Sequence, residues 1–405
     1  MKMASKFTLL FLPLLAYIVN AQAPQIFDIG NYGGKPDSNI AKALSCAWNE
    51  ACAATTPSTI VVPKGTFKLD QIKLLGPCKA PIELQVQGTI KARSDYTTLP
   101  DKNAEWITIN YVDHLTIQGG GVFDGNGKKA WTKNDCGKNP NCAKLPINLS
   151  FNFITNSIIR DVTTQDSKNF HVNVIGCKNV TFQHFTVSAP ADSINTDGLH
   201  IARSECINVT DCVIKTGDDC ISIGDGMKQL YIEKVTCGPG HGISVGSLGK
   251  GATEEDVTGI YVKNCTFIGT QNGIRVKTWP SAPATLKITD LHYEDIIMDN
   301  VENPVFIDQE YCPYNQCTLD SPSLIQVSQM SVKNIRGTTK TPVAMTFACS
   351  KAKPCENVEI GDIDLEYCGT EGPITTKCAN INPILVGKQN PPICADAPTA
   401  AARAA

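Results

Sequence analysis

Four short segments of this chain superimpose: Asp197-Gly198-Leu199-His200-Ile201, Asp219-Cys220-Ile221-Ser222-Ile223, His241-Gly242-Ile243-Ser244-Val245 and Asn272-Gly273-Ile274-Arg275-Val276. Each runs polar, small, apolar, any, apolar; the first three start 22 residues apart and the fourth 31 later. An apolar-any-apolar run is a strand with alternate side chains on opposite faces. Its recurrence at this interval predicts stacked coils, each giving one strand to a parallel sheet. The leading residues then form a column with rungs about 4.8 Å apart. That column reads Asp197, Asp219, His241 and Asn272, with Asp218 beside it. Carboxylates and an imidazole gathered on one surface are acid–base equipment.

A second pattern, apolar-any-apolar-any-any-apolar, fits Val180-Phe182-Phe185, Ile207-Val209-Cys212, Leu230-Ile232-Val235, Ile260-Val262-Cys265, Leu286-Ile288-Leu291, Met330-Val332-Ile335 and Val358-Ile360-Ile363. Weaker copies start at Leu115 and Ser157. Successive starts step by 42, 23, 27, 23, 30, 26, 44 and 28 residues, and each long step spans either two coils or one coil with an insertion. The fifth position is Asp161, Asp211, Asn264, Asp290, Asn334 or Asp362, with His184 and Lys234 as exceptions. Asn and Asp tolerate left-handed backbone, so these residues read as a structural turn ladder. The expected fold is all-β: a right-handed parallel β-helix, a solenoid with a continuous apolar interior.

Residues 1–23 read as a signal peptide: Lys2 and Lys6 precede an apolar stretch from Phe7 to Val19, and Ala21-Gln22-Ala23 is a small-any-small cleavage site, with cleavage after Ala21 as the alternative. The stretch is short for a membrane anchor. Residues 24–394 are expected to form a single domain, with no linker dividing it, and the Ala-rich residues 395–405 a frayed tail. All 18 cysteines follow the leader, and a large even count in a secreted chain implies disulfides. Without a Cys-any-any-Cys pair, zinc is not expected. Cys312 with Cys317 and Cys349 with Cys355 are plausible small loops; the other pairings stay open. Sequons stand at Asn148, Asn179, Asn208 and Asn264, the last three inside coils, where some are expected to be turn residues without a glycan.

The formal charge of −3 argues against nucleic acid, which needs a strong basic footprint. A polyanionic partner needs a local cationic patch instead. With the apolar positions of the four strands inside, the outward columns are His200, Ser222, Ser244, Arg275 and then Ala202, Gly224, Gly246, Lys277. Two cations therefore share a surface beside the carboxylates, an arrangement suited to an acidic sugar.

Asn195-Thr196-Asp197-Gly198, Gly217-Asp218-Asp219-Cys220, Cys237-Gly238-Pro239-Gly240-His241-Gly242 and Arg275-Val276-Lys277 resemble, in order and spacing, the four signatures of the polygalacturonases, glycoside hydrolase family 28. Val276 departs conservatively from the usual Ile. The resemblance extends from about Phe27 to Cys394 and includes Ile307-Asp308-Gln309-Glu310-Tyr311-Cys312, the counterpart of the segment with the active-site tyrosine. The run from Gly238 to Gly249 and the cysteine layout are most similar to the pollen-type exopolygalacturonases of plants.

The resemblance implies roles. Asp218 is the expected general acid; Asp197 and Asp219 are the expected pair that binds and deprotonates water. His241 would tune the acid or bind substrate. Arg275, Lys277 and Tyr311 would bind galacturonate, Asn195 would hold a turn and a sugar hydroxyl, and Cys220 would pair with Cys237. Three carboxylates this close cannot all ionise easily, which predicts one raised pKa. Gly198 and Gly242 are expected where a side chain would crowd the cleft. The family inverts, which calls for a wide gap between acid and base, whereas adjacent rungs suggest a short one.

No cofactor and no metal is expected; the partner is polygalacturonate or pectin, outside the cell in the wall, met by a monomeric enzyme with no membrane or nucleic-acid partner. The rivals are an endo-acting polygalacturonase, a rhamnogalacturonan hydrolase, a Ca²⁺-dependent pectate lyase and a non-enzymatic wall protein. Exo action would need loops at one end of the cleft, and the candidates are the 42-residue step containing Cys136 and Cys142 and the insertion from Gly249 to Asp256.

Overall fold

The computed structural model describes residues 23–99, 105–135, 139, 144–315 and 317–394. The leader up to residue 22, the Ala-rich tail, Cys136 and Cys142 lie outside them. Every strand pairing is parallel, and the strands form two continuous sheets of 21 and 11 members. The smaller sheet consists of β1 (Ile72–Leu75), β2 (Ile107–Asn110), β3 (Leu149–Asn152), β4 (Val172–Ile175), β5 (Leu199–Ala202), β6 (Ile221–Ile223), β7 (Ile243–Leu248), β8 (Asn272–Thr278), β9 (Asn303–Asp308), β10 (Val343–Ala348) and β11 (Thr375–Ala379). The larger sheet has two rows of short strands that merge in the long strand Lys287–Val301, which pairs with both Val257–Lys263 and Thr266–Ile268. Each coil turns from one row to the other, then onto the smaller sheet. This is the expected right-handed parallel β-helix.

The interior is a set of stacks. Val180, Ile207, Leu230, Ile260, Leu291, Met330 and Val358 lie over one another, each buried. Burying such an aliphatic side chain contributes about 1.5–3 kcal/mol, and in a solenoid the gain arises between neighbouring coils. At the amino end the helix α1 (Ala41–Ala53) buries Ala43, Leu44, Ala47, Trp48 and Ala51 over the first coil, and Cys52 is bonded to Cys78.

The turn ladder is present: Asp161, His184, Asp211, Lys234, Asn264, Asn334 and Asp362 all have φ between 48° and 54°. One copy is out of register. Ile260 pairs with Leu291 and Val262 with Tyr293, so the coil reads Leu291-Tyr293-Ile296 and its ladder residue is Asp295. Asp290, assigned to this ladder from sequence, instead belongs to a second left-handed column with Asn156, Asn179, Cys206, Gln229 and Gly259. Both long steps are single coils with insertions, because Ile117 pairs directly with Ile159 and Leu291 with Met330.

Cys312–Cys317 and Cys349–Cys355 are bonded, as is Cys378–Cys394. Cys46, Cys177, Cys206, Cys212, Cys265 and Cys368 are free thiols. Cys177, Cys212 and Cys265 fill core positions as small hydrophobes, and burial pushes the Cys265 thiol up to about 12. Among the sequons, Asn148 is buried and its amide donates to Thr164 Oγ1 at 3.0 Å. Asn179 and Asn264 are exposed left-handed turn residues.

Candidate active site

The site stands where the chain enters β5–β8. Leu199, Ile221, Ile243 and Ile274 are in register and point inward, as do Ile201, Ile223, Val245 and Val276. That register fixes Asp197, Asp219, His241 and Asn272 as successive leading residues. Turns N-terminal to the strands hold them rigidly. Thr196 and Thr216 stack with their hydroxyl oxygens 2.9 Å apart, and Asn195 takes the left-handed conformation at φ 55°. The Asp218 carbonyl accepts from His241 N–H at 2.7 Å, and the Cys220–Cys237 disulfide lies beneath, as the resemblance implied.

Glycine is required at Gly198 and Gly242 for a different reason from the one expected. A Cβ at Gly198 would come within 2.4 Å of the Cys220 carbonyl, and one at Gly242, where φ is 89°, within 2.1 Å of the Asn272 carbonyl. The neighbouring rung, not the cleft, excludes a side chain.

The polar groups converge. Asp219, 2% exposed, accepts from Ser244 Oγ at 2.8 Å and from Lys277 Nζ at 2.6 Å. Asp218 Oδ1 accepts from the Asp219 N–H at 2.8 Å and lies 3.0 Å from His241 Nδ1. Asp197 is buried and bonded by Ser222. Burial, reinforced by the Asp218 and Asp219 charges, pushes the Asp197 carboxyl well above the usual range. Burial also pushes Asp218 up, but the bonded imidazole and Lys277 outweigh it and hold that carboxyl low. Burial alone would lower His241; its bond to Asp218 and the nearby carboxylates raise it. The predicted raised carboxyl is therefore Asp197, while Asp218 and His241 each favour the charged form of the other.

Arg275 and Lys277 share the outer face of β8. Arg275 Nη2 lies 3.5 Å from Asp308, and its buried Nε has no partner among the described residues. The Tyr311 ring covers both cations, 5.2 Å from the guanidinium and 5.6 Å from the ammonium. Asp197, Asp218, Asp219, His241, Arg275, Lys277 and Tyr311 are thus brought together, whereas Asn195 shows its turn conformation but no contact with the cluster among the described residues. Asn272 completes the column but is structural, donating to the His241 carbonyl at 3.1 Å. Sequence reasoning placed Ser222 and Ser244 in the outward column without the roles they have as partners of Asp197 and Asp219, and missed Asp308, the partner of Arg275, and Trp279, whose ring meets Tyr311 edge-on at 5.2 Å. Asp308 could have been found from the register, since it lies opposite Lys277 on the next rung.

Asp218, Asp219 and His241 offer ligand atoms within 4.8 Å of one another, a grouping able to take a metal ion. The donor set fits one poorly, since Lys277 already supplies Asp219 with a positive partner and the imidazole occupies Asp218.

Residues 52–391 match the model of glycosyl hydrolases family 28. The chain belongs to this family and is an enzyme that hydrolyses glycosidic bonds. It is 53% identical to a polygalacturonase of Nicotiana tabacum over 391 residues, covering 96% of this chain and 97% of that one. It is 56% identical to an exopolygalacturonase of Oenothera organensis over 362 residues, 89% of this chain and 99% of that one. The fold superimposes on an endo-xylogalacturonan hydrolase from Aspergillus tubingensis with a TM-score of 0.74 and 24% identity, covering 88% of this chain and 96% of that one. A polygalacturonase from Erwinia carotovora gives a TM-score of 0.71 at 22% identity, covering 89% and 97%.

Proposed function

We propose that this hydrolase is a polygalacturonase that removes galacturonate from the non-reducing ends of polygalacturonate, with inversion at the anomeric carbon. The observation that carries the reading is the convergence of three carboxylates and His241 on consecutive rungs beside Arg275 and Lys277. The names of the relatives from Nicotiana and Oenothera agree with the substrate class, and the second agrees with exo action.

Asp218 protonates the leaving glycosidic oxygen. In the free enzyme it is paired with His241, so the proton must reach it on binding. A polyanionic substrate raises the pKa of nearby carboxyls, and His241 Nδ1, 3.0 Å from Asp218 Oδ1, can pass its proton across that bond. Asp219, salt-bridged to Lys277, and Asp197 hold the attacking water and take its proton. Arg275 offers its unpaired Nε to the galacturonate carboxylate, with Tyr311 against the sugar ring. Oxygens of Asp218 and Asp219 lie within 4.8 Å, shorter than the roughly 6.5–9.5 Å usual for inversion. Inversion therefore rests on the family resemblance and on the third carboxylate, and the anomer released, read by proton NMR, tests it.

The wider setting belongs to the same proposal: removal of a leader over residues 1–23, secretion to the wall of a plant cell such as pollen, a monomeric enzyme, and glycans at Asn179 or Asn264 but not at the buried Asn148. A time course on polygalacturonate tests the mode of action. Monomer as the sole early product, with slow loss of viscosity, supports exo cleavage; early mixed oligomers with rapid thinning would show an endo enzyme.

A further inference from the structure

The insertion between β7 and the strand Val257–Lys263 is fastened at its base. Glu254 accepts from the N–H groups of Gly249 at 2.5 Å and Gly251 at 2.7 Å. The Glu255 N–H reaches Asp225 at 3.3 Å, and Asp225 is bridged to Arg203 at 3.0 Å. Lys250 projects from this loop, exposed, with its Nζ 5.0 Å from the centre of the Trp279 ring. It makes no salt bridge among the described residues.

Arg275 and Lys277 alternate along β8 and share its outer face, and Trp279 follows directly after the last strand residue, Thr278. Trp279 touches Tyr311, and Tyr311 touches both buried cations. A line of three cations and two aromatic rings therefore runs from the carboxylate cluster to the rim. The inner cations already have counter-charges, Asp308 for Arg275 and Asp219 for Lys277. Lys250 has only an indole face, which attracts an ammonium while leaving its N–H donors free for an anion.

We infer that Lys250 and Trp279 form a second carboxylate-reading position, which takes the uronic acid unit one step beyond the one held by Arg275 and Lys277. The indole offers an apolar face to the sugar ring, and the ammonium takes its carboxylate. The inference rests on the polygalacturonate reading above and makes Lys250 a determinant of specificity for chains longer than two units.

The test compares wild type with Lys250→Gln and Lys250→Arg on digalacturonate and trigalacturonate. The expected result for Lys250→Gln is a KM for trigalacturonate raised about five- to tenfold, as loss of one charged contact predicts. Its kcat and its digalacturonate kinetics should stay within about twofold of wild type, and Lys250→Arg should restore most of the loss. Equal effects on both substrates, or none on either, would overturn the inference. Calorimetric binding of trigalacturonate to the same proteins separates the two readings. A wild type that binds the trimer more tightly than Lys250→Gln yet hydrolyses neither substrate would remove the hydrolase reading and keep this one. Identical binding by the two proteins would remove this one whatever the activity.

Discussion

Lys277 Nζ and Asp219 Oδ2 are 2.6 Å apart although the residues are 58 positions apart in the chain, and both side chains are more than nine-tenths buried. The ammonium read from sequence as a surface binder of substrate is first of all the counter-ion of the buried Asp219 carboxylate. Burial alone would lower its pKa; the Asp219 charge more than compensates and keeps the lysine protonated.

Lys277→Met should therefore cost stability as well as activity. Removing one partner of a buried pair leaves the other uncompensated, at about 3–5 kcal/mol. Chemical denaturation at neutral pH checks this. The double variant Lys277→Met with Asp219→Asn should recover most of the stability and none of the activity; if the single and double variants are equally unstable, the pair is not what holds the site.

Asp218→Asn should fold normally and lose about 10²–10⁴-fold in turnover, the usual contribution of a general acid. Asp197→Asn and Asp219→Asn should also abolish hydrolysis by disabling the water. Near-normal turnover in any one of them would remove that residue from the assigned role.

The pH dependence of stability should show opposing contributions. Asp197 has a raised folded pKa, so its buried neutral form costs nothing below about pH 4, the unfolded value, and stability is lost as pH rises from there through the folded pKa. Asp218, lowered, contributes above about pH 4 and loses its contribution as pH falls through its folded pKa. His241, raised, contributes fully below about pH 6.5 and loses it as pH rises through its folded pKa. The Asp218–His241 pair is partly exposed, so its share is small. Tm should fall from acidic toward neutral pH, and Asp197→Asn should flatten that slope. An unchanged slope in the variant would place the responsible group elsewhere. Turnover should follow a bell with an acidic optimum.

Gly242→Ala should be among the most damaging small substitutions in the chain, because the added Cβ meets the Asn272 backbone and the residue sits at φ 89°. Reduced expression or a Tm several degrees lower is expected; a variant as stable as wild type would mean that the rung can shift to make room.

The rungs of the site were legible because Leu199, Ile221, Ile243 and Ile274 repeat a strand pattern at near-constant spacing, and that spacing carries Asp197, Asp219 and His241 with it. The coil at Leu291 was not, because two columns of left-handed residues run along the solenoid and Asp290 of one imitates Asp295 of the other. Partners supplied by insertions or strand exits, such as Trp279 and Lys250, carry no period of their own. Cysteine number pointed correctly to disulfides but not to which thiols stay free, since Cys177, Cys212 and Cys265 stand where the core needs only a small apolar side chain.

The reach from Asp219 to Lys277 also bears on the order in which the site can come into being. Synthesis delivers Asp197, Asp218 and Asp219 before β8 exists, so a nascent solenoid ending at β7 would have to bury these acids without their ammonium. Such an intermediate is disfavoured by the cost of an unpaired internal charge. The coils bearing β5 to β8 should therefore close as one cooperative unit, and the enzyme acquires its acid–base chemistry in a single step rather than coil by coil.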